Sequence, residues 1–296
     1  LKAFDLMYQI AETYPKDIII AGSPTDLRNA IRGKKIALLP MLEGAVLLQD
    51  NKSLLRMCYK LGLRSVTFAY KTNNLADGSD DIVKHNGISA LGKDMIAEMN
   101  RLGIIIDMSH VSANAMRGIL ETTQAPVIFS HSNAYSLCKV NRNVPDDILL
   151  GLKRNKGIIM INFIPYHISQ AHADWLTKAE NDWKMKVNEL KDTSAADKYY
   201  TEIWLKQNPE PQVSVADVAN HFDYIKNLIG VDYIGIGSDL GDKYEFTTKG
   251  MTDVSCFPSL LIELVRRGWT EIEIKKITSE NFLRVFEDVD KKKTQQ

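Results

Sequence analysis

The sequence predicts an α/β fold built on a parallel sheet with helices on both faces. Three observations carry that expectation. Short, nearly continuous apolar runs of strand length recur along the 296 residues, a stretch of helical period follows each, and polar residues stand where the runs end. Strands that are apolar on both sides need cover on both sides, and helices placed between parallel strands supply it.

The elements follow in chain order. Leu1, Phe4, Leu6, Met7 and Ile10 line one helical face at the start. Strands are expected over 36–42, 65–70, 104–108, 127–130, 157–163 and 233–237. Helices are expected over 52–61, 91–102, 113–122, 146–153 and 215–229, with two more over 259–267 and 270–286. Pro145 with Asp146 and Asp147 makes a good first helical turn, a fixed φ followed by acids at the positive end of the dipole. Gly103 and Gly230 stand where helices should stop. Residues 165–214 form one long insertion, read as helical and rich in aromatic residues (Trp175, Trp183, Tyr199, Tyr200, Trp204). Six strands suit a doubly wound sheet, whereas an eight-fold barrel needs two more. The Lys291–Lys293 tail reads as a solvated end.

Composition narrows the function classes. Lys+Arg 37 against Asp+Glu 37 leaves no net charge, so neither nucleic acid nor an anionic membrane is suggested as partner. No apolar run approaches the roughly 18 residues of a membrane span. Cys58, Cys138 and Cys256 form no CxxC pair, which excludes a zinc ribbon and leaves at most one bridge. The chain starts at Leu1 inside a helix, with no leader to read, so localisation stays unknown.

The chemistry is concentrated at the strand ends. Glu43 follows IALLPML, Tyr70 follows SVTFA, His110 follows IIIDMS, His131 follows VIFS and Asp239 follows YIGIGS. In parallel α/β barrels the loops after the strands converge on one face and carry the active site. Two histidines and a carboxylate from separate strands can meet there as ligands of a catalytic Zn²⁺ or a similar divalent ion. A single strand-end histidine is more often a hydrogen-bonded structural residue, and Glu43 alone could cap a helix. It is the repetition at successive strands that favours a metal site. The glycines from Gly235 to Gly241 miss the dinucleotide-binding spacing, and neither a GxSxG elbow nor a P-loop is present. His85, His172 and His221 are expected at the surface, Cys58 and Cys256 as ordinary buried or half-buried residues, and His167 lies where it could approach the site.

Read in order, these segments resemble the membrane (renal) dipeptidase family of zinc-dependent peptidases. The motifs are Leu42-Glu43-Gly44, Glu98-Met-Asn-Arg-Leu-Gly103, Asp107-Met-Ser-His110-Val-Ser, Phe129-Ser-His131-Ser, Asn141-Arg142-Asn143-Val-Pro-Asp-Asp147 and Gly235-Ile-Gly-Ser-Asp239. Gly250-Met-Thr-Asp-Val-Ser255, Arg266-Arg-Gly-Trp269 and Asn281-Phe-Leu-Arg-Val-Phe286 extend the match to about residue 287. The resemblance implies a TIM-type (β/α)8 barrel of the metal-dependent hydrolase kind, lacking its first two strands in this chain, with 1–296 as a single catalytic domain. It implies two zinc ions bridged by Glu43 and a water, with His110 and His131 on one ion. It also implies Arg142 as receiver of a dipeptide's C-terminal carboxylate, which suits its planar fork. Asp239 becomes the acid that shuttles the proton. An ion pair from Arg142 to Asp146 or Asp147 is the structural alternative.

Three departures from the family pattern stand out. The His-x-Asp pair that holds the other zinc has no counterpart, since no histidine precedes His85. Tyr70 stands where a histidine is expected to assist the tetrahedral intermediate; its hydroxyl can donate to an oxyanion but is longer and neutral. The second acid of the last strand-end motif is displaced to Asp242. The expectation is therefore a metal-dependent dipeptidase acting through a metal-activated bridging water. Another small amide as substrate, or a non-catalytic barrel, are the alternatives, and a homodimer is left open. The natural protein is expected to begin roughly 60 residues earlier, and the chain alone to be poorly stable and nearly inactive.

Overall fold

The computed structural model describes residues 1–240 and 248–293. Among them the apolar runs form eight short strands: β1 (Ile18–Ile20), β2 (Ile36–Leu38), β3 (Met41–Glu43), β4 (Ser65–Thr67), β5 (Ile105–Asp107), β6 (Ile128–Phe129), β7 (Ile158–Ile161) and β8 (Ile234–Ile236). β3 to β8 join in sequence order into one six-stranded sheet, while β1 and β2 pair apart from it. Every pairing is parallel. The order is that of a barrel-type α/β fold, in which each strand lies beside the next in sequence.

The expected strand over 36–42 is in fact two. Pro40 has no N–H to give and forces an extended residue before it, so the ladder breaks there. Upstream, Ile36 to Leu38 turn to β1; downstream, Met41 to Glu43 pair with Ser65 to Thr67. Three residues in β1 are too few to show a period, which is why the run Ile18–Ile20 carries no strand signal of its own.

Local chemistry starts the covering helices. Asn51, Ser89 and Ser112 each turn a side-chain oxygen onto free N–H groups of the helices Lys52–Lys60, Ala90–Leu102 and Ala113–Thr122. Each such cap contributes about 1 kcal/mol. Alternation along the strands then fills both faces of the sheet. Ile106, Phe129, Ile159 and Ile161 belong to the main core with Met95, Met99, Ile119 and Leu152. Their neighbours Ile105, Ile128 and Ile158 point the other way, onto Val285, Phe286 and Val289 of the C-terminal helix Asn281–Lys292. That helix is fastened by Asn281, whose amide donates to the carbonyls of Val231 (2.8 Å) and Ile234 (2.8 Å). The expected single helix over 270–286 is a helical run interrupted by a π-turn at Lys276–Glu280.

Residues 165–214 are mostly helical, with Gln170–Leu190 the longest helix and Thr193–Tyr199 folded back on it. Trp175, Ala179 and Trp204 make a small core of their own there. The indole N–H of Trp204 donates to Asp182 (2.7 Å) and that of Trp183 to Asp197 (2.8 Å). Helices hold the segment together without any strand joining the main sheet.

Glycine sets how closely β8 approaches its neighbours. A Cβ on Gly237 would collide with the carbonyl oxygen of Ser130, and one on Gly235 would press on Met160. The first obstacle is backbone and cannot move aside. Gly237→Ala is therefore expected to lower the unfolding free energy by about 2 kcal/mol or more, the scale of overpacking a rigid core. Urea midpoints of the variant and parent would show it; equal midpoints would mean that β8 is not seated against Ser130.

Candidate metal centre

Register brings the strand ends level. Glu43 pairs with Thr67, Thr67 with Asp107, and Asp107 with Ile128. Tyr70, His110 and His131 each lie three residues beyond one of these partners, so they emerge side by side at the C-terminal end of the sheet. The His110 Nε2 and His131 Nε2 atoms are 2.9 Å apart. Glu43 Oε1 stands 3.1 Å from the first and 3.3 Å from the second. Glu43, His110 and His131 thus form a three-residue group whose donor atoms lie within 4.8 Å of one another.

Two imidazole nitrogens and one carboxylate oxygen, with no thiolate, suit zinc or a similar divalent ion. The imidazoles of His110, first, and of His131, next, hold the Glu43 carboxyl well below the usual carboxylate range. Burial lowers the His110 pKa even beside that carboxylate. Both effects favour a charged carboxylate facing a neutral His110 ring, the protonation state a cation requires of such ligands.

His110 is aimed by its backbone. Its φ of 71° is left-handed, a conformation that costs free energy for a residue with a side chain. The turn is held because its carbonyl accepts from the Ser79 N–H (2.7 Å). Tyr70 lies against it with ring centroids 4.4 Å apart, and at 52% exposure the phenol faces the mouth of the sheet. Asp239, after β8, is also left-handed at φ 57°. Its charge is felt by Arg142 and by the Tyr166 hydroxyl. Asp242 lies outside the described residues.

Arg142 is only 4% exposed. It donates from Nη1 to Ser132 Oγ (2.8 Å) and from Nη2 to the His131 carbonyl (3.0 Å), while its Nε has no partner. The ion pair to Asp146 or Asp147 does not form. Asp146 accepts from Tyr224 and Ser136, and Asp147 pairs with Arg117. Among the described residues no acid lies within ion-pair distance of the Arg142 guanidinium, and burial pushes its pKa down against the pull of Asp107, Asp239, Glu43 and Asp80. A buried, unmatched guanidinium is costly unless something anionic joins it.

A family model described as membrane dipeptidase, peptidase family M19, matches residues 1–296. The chain belongs to the membrane dipeptidase family. It is 36% identical over 288 residues to dipeptidase tcpJ of Claviceps purpurea, a match covering 97% of this chain and 59% of that protein. It thus spans less than two thirds of that relative's length. The crystal structure of a probable dipeptidase, PvdM, from Pseudomonas aeruginosa has a TM-score of 0.85 at 25% identity, over 98% of this chain and 78% of the other. A metallo peptidase from Rhodobacter sphaeroides, crystallised with a phosphinate mimic of the dipeptide L-Ala-D-Ala, shares the fold. There the TM-score is 0.78 and the identity 20%, over 97% of this chain and 73% of the other. No helix of the described residues in this dipeptidase-family chain is long and apolar enough to cross a membrane.

Several histidines differ from their expected places. His172 and His221 are buried, not at the surface, because each sits on the inward stripe of its helix. His172 meets Glu210 at 3.0 Å. His221 Nδ1 accepts from the Ala134 N–H (3.1 Å), and Nε2 bonds the Ile168 carbonyl (3.0 Å). His167 is buried beside Asn162, with its Nδ1 3.0 Å from the amide nitrogen. Asp107, Ser130, Ser132 and Tyr166 also shape the site, and sequence reading assigned them no role. The one signal was an acid, Asp107, closing an otherwise apolar strand.

Burial lowers His221 to about 4 from an ordinary 6.5. Below the ordinary value the unfolded chain takes up a proton that the folded one refuses, so stability falls as pH drops from about 6.5 toward 4. At pH 5 the loss from this one residue should be about 2 kcal/mol relative to pH 7. His167, lowered by burial as well, adds with the same sign. Urea melts at the two pH values should show the drop, and His221→Gln should flatten it; an unchanged pH dependence in the variant would mean that His221 is charged in the fold.

Proposed function

We propose that residues 1–296 act as one catalytic unit of a zinc-dependent dipeptidase. The observation that carries this is the convergence of Glu43, His110 and His131 on a single point. Zinc bound there would activate a water and polarise the scissile carbonyl. A second ion, with Glu43 as bridge, belongs to this reading as the family resemblance implies it; one ligand triad is what the described residues supply.

The chain's own residues divide the remaining work. Arg142 keeps three of its five N–H donors uncommitted, and it would take a dipeptide's free C-terminal carboxylate as the anion it lacks. A substrate gripped by that end is limited to very short peptides. Asp239 would accept the proton released by the attacking water and pass it to the departing amine. Tyr70 would donate its hydroxyl hydrogen to the oxygen that gains charge at the attacked carbon. Because this hydroxyl replaces an expected histidine, small amides other than dipeptides form a second substrate reading. The dipeptide mimic bound to the Rhodobacter sphaeroides structure supports the first.

A dipeptide panel assayed with added Zn²⁺ tests the whole reading, and no turnover of any dipeptide by zinc-loaded protein would sink it. Arg142→Ala should lower kcat/KM on free dipeptides by about 10- to 100-fold for each charge-assisted hydrogen bond lost, on the scale of ~1.5–3 kcal/mol per bond. Analogues amidated at the C-terminus should lose far less. Equal losses on both would show that Arg142 serves the fold rather than the substrate.

A further inference from the structure

We propose that Asp107 and Ser130 are positioning residues that fix the tautomer of His131, so that its Nε2 lone pair is presented to a metal before any metal arrives. The inference rests on the metal-site reading for its purpose, while the tautomer itself follows from where the hydrogens around Ser130 can sit. Ser130 Oγ lies 2.5 Å from Asp107 Oδ2, 2.6 Å from His131 Nδ1 and, more distantly, 3.3 Å from Ser109 Oγ. A hydroxyl has one hydrogen and cannot donate to all three.

The Asp107 carboxylate offers no hydrogen in return. It is fully buried and serves throughout as an acceptor, at Oδ1 from the Ser109 N–H (3.0 Å) and the Ser130 N–H (2.9 Å), and at Oδ2 from Thr67 Oγ1 (2.6 Å). If Ser130 gave its hydrogen to His131, two bare oxygens would face each other at 2.5 Å. The Ser130 hydroxyl therefore donates to Asp107, and its own lone pair receives the Nδ1–H of His131. A neutral imidazole carries one N–H, so Nε2 is left bare.

The far side of the ring agrees. His131 Nε2 and His110 Nε2 are 2.9 Å apart, a distance that requires one to donate and the other to accept. With His131 settled as acceptor, His110 Nε2–H is the donor, and it also reaches Glu43 Oε1 at 3.1 Å. The third contact, His131 Nε2 to Glu43 Oε1 at 3.3 Å, is left without a hydrogen, two lone pairs turned to the point where a cation would sit. Hydrogen-bonded partners behind metal-binding histidines set ring orientation and basicity, and losing one typically costs 10- to 100-fold in metal affinity. Here the carboxylate acts through an intervening hydroxyl.

The test uses the full chain. Long-range ¹H–¹⁵N correlation spectra of the metal-free protein should show His131 as the Nδ1–H tautomer, and an Nε2–H tautomer would overturn the proposal. Ser130→Ala should release the ring to a mixture of tautomers and weaken the Zn²⁺ dissociation constant, measured by chelator competition, about 10- to 100-fold. Ser130→Thr, which keeps the hydroxyl, should restore both. A Ser130→Ala protein with unchanged tautomer and affinity, or a Ser130→Thr protein no better than the alanine variant, would refute the role of the hydroxyl. Should the unsubstituted protein bind no Zn²⁺, the metal reading falls, and the tautomer alone judges the relay.

Discussion

The Asp107 carboxylate is the constraint on which the mouth of this sheet depends. It closes β5 and is wholly buried, where an unsatisfied carboxylate would be expensive. It takes a hydrogen bond from Thr67 at the end of β4, two from Ser130 just past β6, and one from its own loop at Ser109. Three strands are thereby tied at one level. Those strands lead to Tyr70, His110 and His131. An apolar residue in place of Asp107 could fill the volume but would leave two hydroxyls and two N–H groups without an acceptor.

The same economy runs through the charges of the site. The described residues gather a carboxylate at Glu43 and a guanidinium at Arg142 without pairing them to each other. Glu43 is turned to the imidazoles, and Arg142 to a hydroxyl and a carbonyl, both neutral. An ion pair between them would stabilise the resting fold and cancel the fields that a cation and an anionic substrate could use. The acids that follow Arg142 are occupied as well, Asp147 by Arg117 and Asp146 by Tyr224, so neither pairs with its guanidinium. Stability given up at such a place is made up elsewhere in the core, as in functional sites generally.

Much of this was legible in the sequence. Polar residues at the ends of successive apolar runs predicted that Glu43, His110 and His131 would emerge on one face, because the loops after parallel strands converge at the same end of the sheet. The helices over 91–102, 113–122 and 215–229 were legible from their period and their stops. What the sequence hid was the consequence of contacts between distant segments. Pro40 breaks a strand whose hydropathy runs on unbroken. The three isoleucines of β1 acquire strand form only through Ile36 to Leu38. His172 and His221 read as surface polar residues, since a buried histidine bonded to backbone carries no mark until its partners Ala134 and Ile168 are located. Ser130 reads as the last residue of the expected strand 127–130 until Asp107 is found behind it.

The two histidines are held by different means, and this bears on Tyr70, one of the three departures from the family pattern. His131 is fixed by hydrogen bonds through Ser130. His110 is fixed by a strained backbone and by the ring of Tyr70. Tyr70 is in turn held close to the third member of the group. Gly44, next to Glu43, has φ 97°, and a Cβ there would stand 3.2 Å from the Tyr70 Cβ. Glycine at 44 is thus required twice, by its backbone angle and by the approach of Tyr70. Glu43, Gly44, Tyr70 and His110 form one mechanical chain across β3, β4 and β5. A tyrosine presents a broad ring to His110 and leaves its side chain half exposed at the mouth of the sheet.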